Sequence, residues 1–92
     1  MNPLTLQDRP QLASHARIQA DRVTGQTVLL FPEGILELNE TSGAILERCD
    51  GRTIAEVIAD LAQQYEVPDS ELEADVLEFL DELHRRQLLR LP

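Results

Sequence analysis

The 92-residue sequence has no lysine, no tryptophan, one cysteine (Cys49) and only three aromatic residues, Phe31, Tyr65 and Phe79. Each shortage removes a class of function. Without lysine there is neither a Schiff-base nucleophile nor a P-loop lysine to hold phosphate. A single cysteine excludes an intrachain disulfide. No basic segment at the start leads into a long apolar run, so a reducing cytoplasm is the expected location. No apolar run approaches the roughly 20 residues of a membrane-spanning helix, and no membrane partner is expected. With so few aromatics the core must be built from Leu, Ile, Val and Ala. A domain of this length hides roughly 60 to 65% of its unfolded surface, too little to enclose a deep cofactor pocket. No cofactor is expected.

Charge is equally one-sided. Seventeen acidic residues face eight arginines, a formal net charge of −9, which repels nucleic acid and anionic lipid. Chemistry-bearing residues are sparse and scattered. Cys49, His15 and His84 lie in unrelated segments, and no nucleophile has a base beside it, so no catalytic residue is assigned. Neither histidine has a helical i, i+4 partner or a cysteine pair, and no metal site is assigned. Glu78 and Glu82 read as a solvated helix face.

What is present is secondary-structure grammar. Residues 1–14, with Pro3 and Pro10 and no apolar period, read as an extended arm, and residues 15–92 as one domain. Residues 17–21 alternate polar and apolar like a strand with one wet face. Residues 28–31 are apolar on both faces, so a strand there needs cover on each side: the helices on one, and the arm, a second copy or a partner on the other. Pro32-Glu33-Gly34 then reads as a three-residue hairpin loop, with Pro32 at the first corner and Gly34 at positive φ, leading into a third strand over residues 35–38. That third strand has no evident later strand to pair with, and an unpaired edge is either a liability or a docking site for an extended peptide.

Helix signals follow. Asn39 or Thr41 caps a first helix carrying Ile45, Leu46 and Cys49, which Gly51 ends. Thr53 and Glu56 have capping-box spacing and open a second helix through Ile54, Val57, Ile58, Leu61 and Ala62 to Tyr65, with Pro68 at its end. Ser70 and Glu73 repeat the spacing and open a third, in which Leu72, Val76, Phe79, Leu80 and Leu83 form one apolar stripe. Residues 88–91 read as a short extended tail packing back on the sheet. The whole predicts an α+β, winged-helix-like domain, a three-stranded antiparallel sheet followed by three helices. A DNA-binding regulator of that fold would carry basic residues at the start of its last helix; here Glu71, Glu73 and Asp75 stand there, which disfavours that alternative.

The combination of Arg9-Pro10, Arg17, Gly25, Val28-Leu29-Leu30-Phe31-Pro32-Glu33-Gly34, Leu38-Asn39, Ile45-Leu46, Cys49-Asp50-Gly51, Thr53-Ile54-Ala55-Glu56 and Tyr65 resembles the PqqD family of pyrroloquinoline quinone biosynthesis. The sequence departs from the family pattern at Phe31, often Tyr, and at Gln87-Leu88, often Gly followed by an aromatic. The resemblance implies a noncatalytic peptide chaperone with the recognition-element fold of ribosomal-peptide maturation systems. It implies that the precursor peptide PqqA is bound as an added strand between the third strand and the third helix, and is presented to the radical S-adenosylmethionine enzyme PqqE. On this basis the expected peptide-binding residues are Gly34, Ile35, Leu36, Glu37, Leu38 and Asn39 along the edge, with Leu72, Asp75, Val76, Phe79, Leu80 and Leu83 as the groove wall. A proline at Leu36 is the expected way to remove an edge donor. Monomer and homodimer both remain compatible with the sequence.

Overall fold

The computed structural model of the chain describes residues 4–92. In chain order the elements are β1 (Gln11–Leu12), β2 (Arg17–Ala20), β3 (Thr27–Phe31), β4 (Gly34–Leu38), α1 (Glu40–Glu47), α2 (Ile54–Tyr65), α3 (Asp69–Arg85) and β5 (Leu89–Arg90). Strands β2, β3 and β4 form an antiparallel sheet with β3 in the centre, and β1 and β5 form a separate two-stranded ribbon. The α+β, winged-helix-like architecture expected from the sequence is present.

The β3–β4 turn is tighter than its sequence suggests. Phe31 pairs with Gly34, so Pro32 and Glu33 alone make the loop. Gly34 is not among the positive-φ residues, which in the described chain are Gly25, Gly51, Glu66 and Gln87. It joins the ladder instead of closing a bulge, and a Cβ there would meet the Phe31 ring at 3.8 Å, ordinary contact. The proline ring fixes φ negative at the first corner, and the extra strand pair stabilises the shorter loop.

Helix α1 is capped by Asn39, whose side chain accepts from the Ser42 N–H at 2.7 Å. It ends four residues before Gly51. The Arg48 and Cys49 N–H groups donate to the Ile45 and Leu46 carbonyls, both at 3.1 Å, and the Arg48 guanidinium donates to the Ala44 carbonyl at 2.9 Å. The carbonyls assigned to Gly51 are therefore already satisfied. The same guanidinium holds Asp60 and Gln64 of α2, tying the two helices.

Every exposed amide at the start of α2 finds a partner. Thr53 and Glu56 form the reciprocal capping box, the Thr53 hydroxyl accepting from the Glu56 N–H at 3.1 Å and the Glu56 carboxylate from the Thr53 N–H at 2.7 Å. The bond from the Thr53 N–H, with a second to the same carboxylate oxygen from the Thr53 hydroxyl at 3.0 Å, holds the Glu56 carboxyl below its ordinary range. The Ile54 and Ala55 amides donate to the carbonyls of Asp8 and Leu6, both at 2.9 Å. The arm thus lies over the head of α2, where Leu4 and Pro10 are buried and Leu6 and Leu12 pack on the core. Of the residues assigned to the arm, 1–3 lie outside the described residues.

The second capping box does not form. Pro68, at φ −66° and ψ 148°, is the N-cap of α3 and makes no side-chain cap bond, so the helix starts at Asp69 and Ser70 sits inside its first turn. Pro68, held in the extended conformation, sets the boundary two residues earlier than a cap at Ser70 would. The tail also differs: β5 pairs with β1 of the arm, Gln11 opposite Arg90 and Leu12 opposite Leu89, and not with the main sheet.

The core fills the space between the inner sheet face and the helices, with Leu29, Ile54, Val57, Leu61, Val76, Leu80 and Leu83 fully buried. Two stability changes follow from the helix ends. Thr53→Ala should cost about 1 kcal/mol in chemical denaturation, because it removes a cap bond. Glu66 holds the left-handed C-cap of α2 at φ 56°; Glu66→Gly should raise stability by up to about 1 kcal/mol in the same measurement.

Candidate peptide-binding edge

The two-residue turn decides which way each β4 residue faces. Ladder bonds alternate along an antiparallel pair, and a pair that closes a two-residue loop is a hydrogen-bonded one. With Phe31 opposite Gly34, Leu29 opposite Leu36 and Thr27 opposite Leu38, the backbone groups of Gly34, Leu36 and Leu38 serve β3. Those of Ile35 and Glu37 point to the open side, where no described backbone group bonds to them. Side chains alternate with the same parity. Leu36 and Leu38 turn to the core, while Ile35 and Glu37 face out. The edge therefore offers two N–H and two C=O groups, enough to seat an extended segment of about four residues. The Leu36 N–H belongs to the hairpin, and a proline there would break β3–β4 pairing along with any edge.

Gln26 sets one end of this edge by donating from its side-chain amide to the Leu38 carbonyl at 3.3 Å. At the same end Asn39 is committed to capping α1. The edge and the first helix are thus anchored at one point.

The twelve residues assigned to the site fall into two groups. Gly34, Ile35, Leu36, Glu37 and Asn39 reach the surface along β4, as do Leu72, Asp75 and Phe79 on α3. Leu38, Val76, Leu80 and Leu83 are buried, the last three completely, and are core rather than groove wall. The close backbone neighbours of β4 are β3 and α1, and those of α3 are α2 and β5. The two halves of the site share one apolar cluster, which includes Leu38, Val76 and Leu80 and against which Leu36, Leu72 and Phe79 pack partly buried. Asp75 and Phe79 also line an open hollow of about 500 Å³ on α3, with Glu78, Asp81, Glu82 and Arg85 around them. Arg85 pairs with Asp81, and Arg86 with Glu82 at 3.1 Å, one helical turn apart, so the basic end of α3 offsets its own acids.

A second free edge went unread in the sequence. β2 is the other outer strand of the sheet. Its Arg17, Gln19 and Ala20 are exposed and only Ile18 packs on the core, whereas β4 gives the core both Leu36 and Leu38.

Burial and then the Asp50 charge push the Cys49 thiol up to about 12, and its Sγ lies 3.4 Å from the Ile45 carbonyl inside the core. Among the described residues no group of His, Cys, Asp and Glu is arranged to hold a metal ion. No described helix is long and apolar enough to cross a membrane.

Comparison with known proteins accords with this geometry. Residues 26–89 match the family model described as coenzyme PQQ synthesis protein D (PqqD). A protein of Xanthomonas axonopodis pv. citri named PqqA binding protein is 39% identical over 92 residues, covering 99% of this chain and all of its own length. One of the same name from Xanthomonas oryzae pv. oryzae is 37% identical with the same coverage. The solution structure of the PqqD part of Methylobacterium extorquens PqqCD, described as a functional and stand-alone RiPP recognition element, superposes with a TM-score of 0.82 at 32% identity, covering 95% of this chain and 94% of that one. The crystal structure of PqqD from Xanthomonas campestris gives 0.61 at 38% identity, covering 87% and 90%. The family match over residues 26–89 and the identity to relatives along nearly the whole length show that the chain belongs to the PqqD family of coenzyme PQQ synthesis proteins.

Proposed function

We propose that this chain is a noncatalytic chaperone that binds the precursor peptide PqqA as a fourth strand along β4 and presents it to the radical S-adenosylmethionine enzyme PqqE. The observation that carries this reading is the pair of outward backbone positions, Ile35 and Glu37, on a strand whose Leu36 packs, partly exposed, on the same apolar cluster as Leu72 and Phe79 of α3. Backbone bonds supply affinity without regard to sequence; the apolar side chains beside them supply selection. Each main-chain bond nets roughly 0.5 to 1.5 kcal/mol, so four such bonds and two buried side chains reach micromolar affinity after ordering costs. That strength suits a carrier that must release its cargo. Names of relatives that bind PqqA support the choice of peptide. The acidic face of α3 would then be free to meet a basic patch on the enzyme, and a reducing cytoplasm suits the unpaired Cys49. The competing winged-helix DNA-binding reading would place Asp69 and Glu71, in the first turn of α3, against phosphate.

Titrating labelled PqqA peptide while following amide resonances tests the site. Shifts should concentrate on residues 34–39 and on Leu72, Asp75 and Phe79; shifts confined to the arm or α1 would sink the assignment. Glu37→Pro removes an edge donor that β3 does not use, and should keep the fold while weakening peptide binding at least roughly tenfold. Leu36→Pro should unfold the hairpin. Normal binding by a folded Glu37→Pro variant would rule out strand addition at β4. On α3, Phe79→Ala should weaken binding with little loss of stability, whereas Leu80→Ala, at a fully buried site, should cost about 2 to 5 kcal/mol in denaturation.

A further inference from the structure

Glu37 is the one charged side chain that β3 and β4 place on the outer face of the sheet. Leu29 and Leu36 turn to the core, so Val28, Leu30, Ile35 and Glu37 face the other way. Around Glu37 this face is apolar: Ile35 is 65% exposed, and an open hollow of about 550 Å³ is lined in part by Val28, Leu30 and Ile35. In its own row across the sheet Glu37 stands beside Val28 and then Gln19, neither of which balances its charge. The only base on these three strands, Arg17, is two strands away opposite Leu30. Glu37 is exposed and joins no ion pair among the described residues.

A strand added at β4 sets one of its residues directly opposite Glu37, on the same face and with Cβ atoms about 5 Å apart. The neighbouring residue falls opposite Leu36 and turns inward, toward the cluster on which Leu36, Leu72 and Phe79 pack. The next falls opposite Ile35 and returns to the outer face. Opposite charges facing each other across a sheet attract and like charges repel, so the first position is sorted by charge and the other two by apolar contact.

We propose that Glu37 selects the cargo by pairing with a Lys or Arg side chain, and that the segment seated on β4 reads basic, apolar, apolar from its N-terminus to its C-terminus. This rests on the reading of β4 as the peptide edge. The order comes from strand direction. The sheet is antiparallel throughout, and an antiparallel fourth strand exchanges both ladder bonds with Ile35 and both with Glu37. Running against β4, that strand passes Glu37 before Ile35. The α3 side of the site has the same sign, because Asp75, beside Phe79 in the hollow there, joins no ion pair among the described residues. On a chain of net charge −9, an acidic segment is repelled at Glu37 and at Asp75 alike. A carboxylate that only guarded the edge against stray pairing would need no particular residue in the peptide.

PqqA peptides in which each Lys or Arg in turn is replaced by Glu, titrated against the wild-type chain and Glu37→Arg, test the pairing. One replacement should weaken wild-type binding roughly tenfold and recover on E37R, which itself binds unaltered PqqA roughly tenfold more weakly. Both losses should shrink as salt is raised. Glu37→Gln, which keeps the shape, should no longer distinguish a base from Glu at that position. Glu33→Arg, the same change of net charge in the adjacent turn, should rescue none of the peptides. For the order, a cysteine replacing the paired base should form a disulfide with Glu37→Cys on mild oxidation, and a cysteine two residues later one with Ile35→Cys, while buried Cys49 stays silent. Amide spectra confirm that each variant is folded. If E37R and E37Q bind every peptide as the wild-type chain does, charge selection is overturned while strand addition stands. Cross-linking to Ile35→Cys from two residues earlier would overturn the antiparallel order. A wild-type chain that binds none of the peptides would overturn the β4 edge and this proposal together.

Discussion

Pro32 and Glu33 span the hairpin alone, which forces Phe31 against Gly34 and so fixes the parity of everything after them. One residue more in the loop would exchange the two faces of β4 and the two directions of its backbone groups. Leu36 and Leu38 would then leave the core, and the groups now free at Ile35 and Glu37 would be spent on β3. The shape of the edge, the composition of the core beneath it and the make-up of the outer face are three results of that single closure.

The helical half depends on a different closure. α2 is the central helix, packed on α3 and tied to α1 through Arg48, and its N-terminus is sealed partly by its own Thr53 and Glu56 and partly by carbonyls of the arm. Burying a helix end requires that its free amides be satisfied. The arm is therefore part of the domain from Leu4 onward, although no period in its sequence announces it.

The legible parts of the sequence were the locally encoded ones. Thr53 and Glu56 lie three apart and act on each other, and Leu72 to Leu83 repeat at helical spacing, so both are seen without knowledge of the fold. Ser70 carries the same local signal as Thr53 but was overruled by Pro68, whose ring starts α3 earlier. The β1–β5 ribbon has two residues a strand and joins opposite ends of the chain, so neither propensity nor period could mark it. For the site, the β4 edge and the exposed α3 residues were readable as sequence. The burial of Val76, Leu80 and Leu83 was not, because an apolar stripe looks the same whether it lines a groove or fills a core. Edge parity rests on a loop length that Pro-Glu-Gly leaves ambiguous by one residue.

The ribbon also constrains how the molecule comes into being. Arg90 reaches the Gln11 side chain at 2.9 Å across 79 positions of sequence, and Leu88 and Leu89, near the end of the chain, are buried in the core. During synthesis the sheet and the first two helices can emerge and pair while these last residues are still inside the ribosome. The arm, meanwhile, has carbonyls to give α2 but no β5 to clasp. A contact spanning nearly the whole chain bears the largest loop-closure entropy and is naturally made late. The nascent domain is thus held ajar at one end until residues 88–90 emerge, and these residues act as its latch.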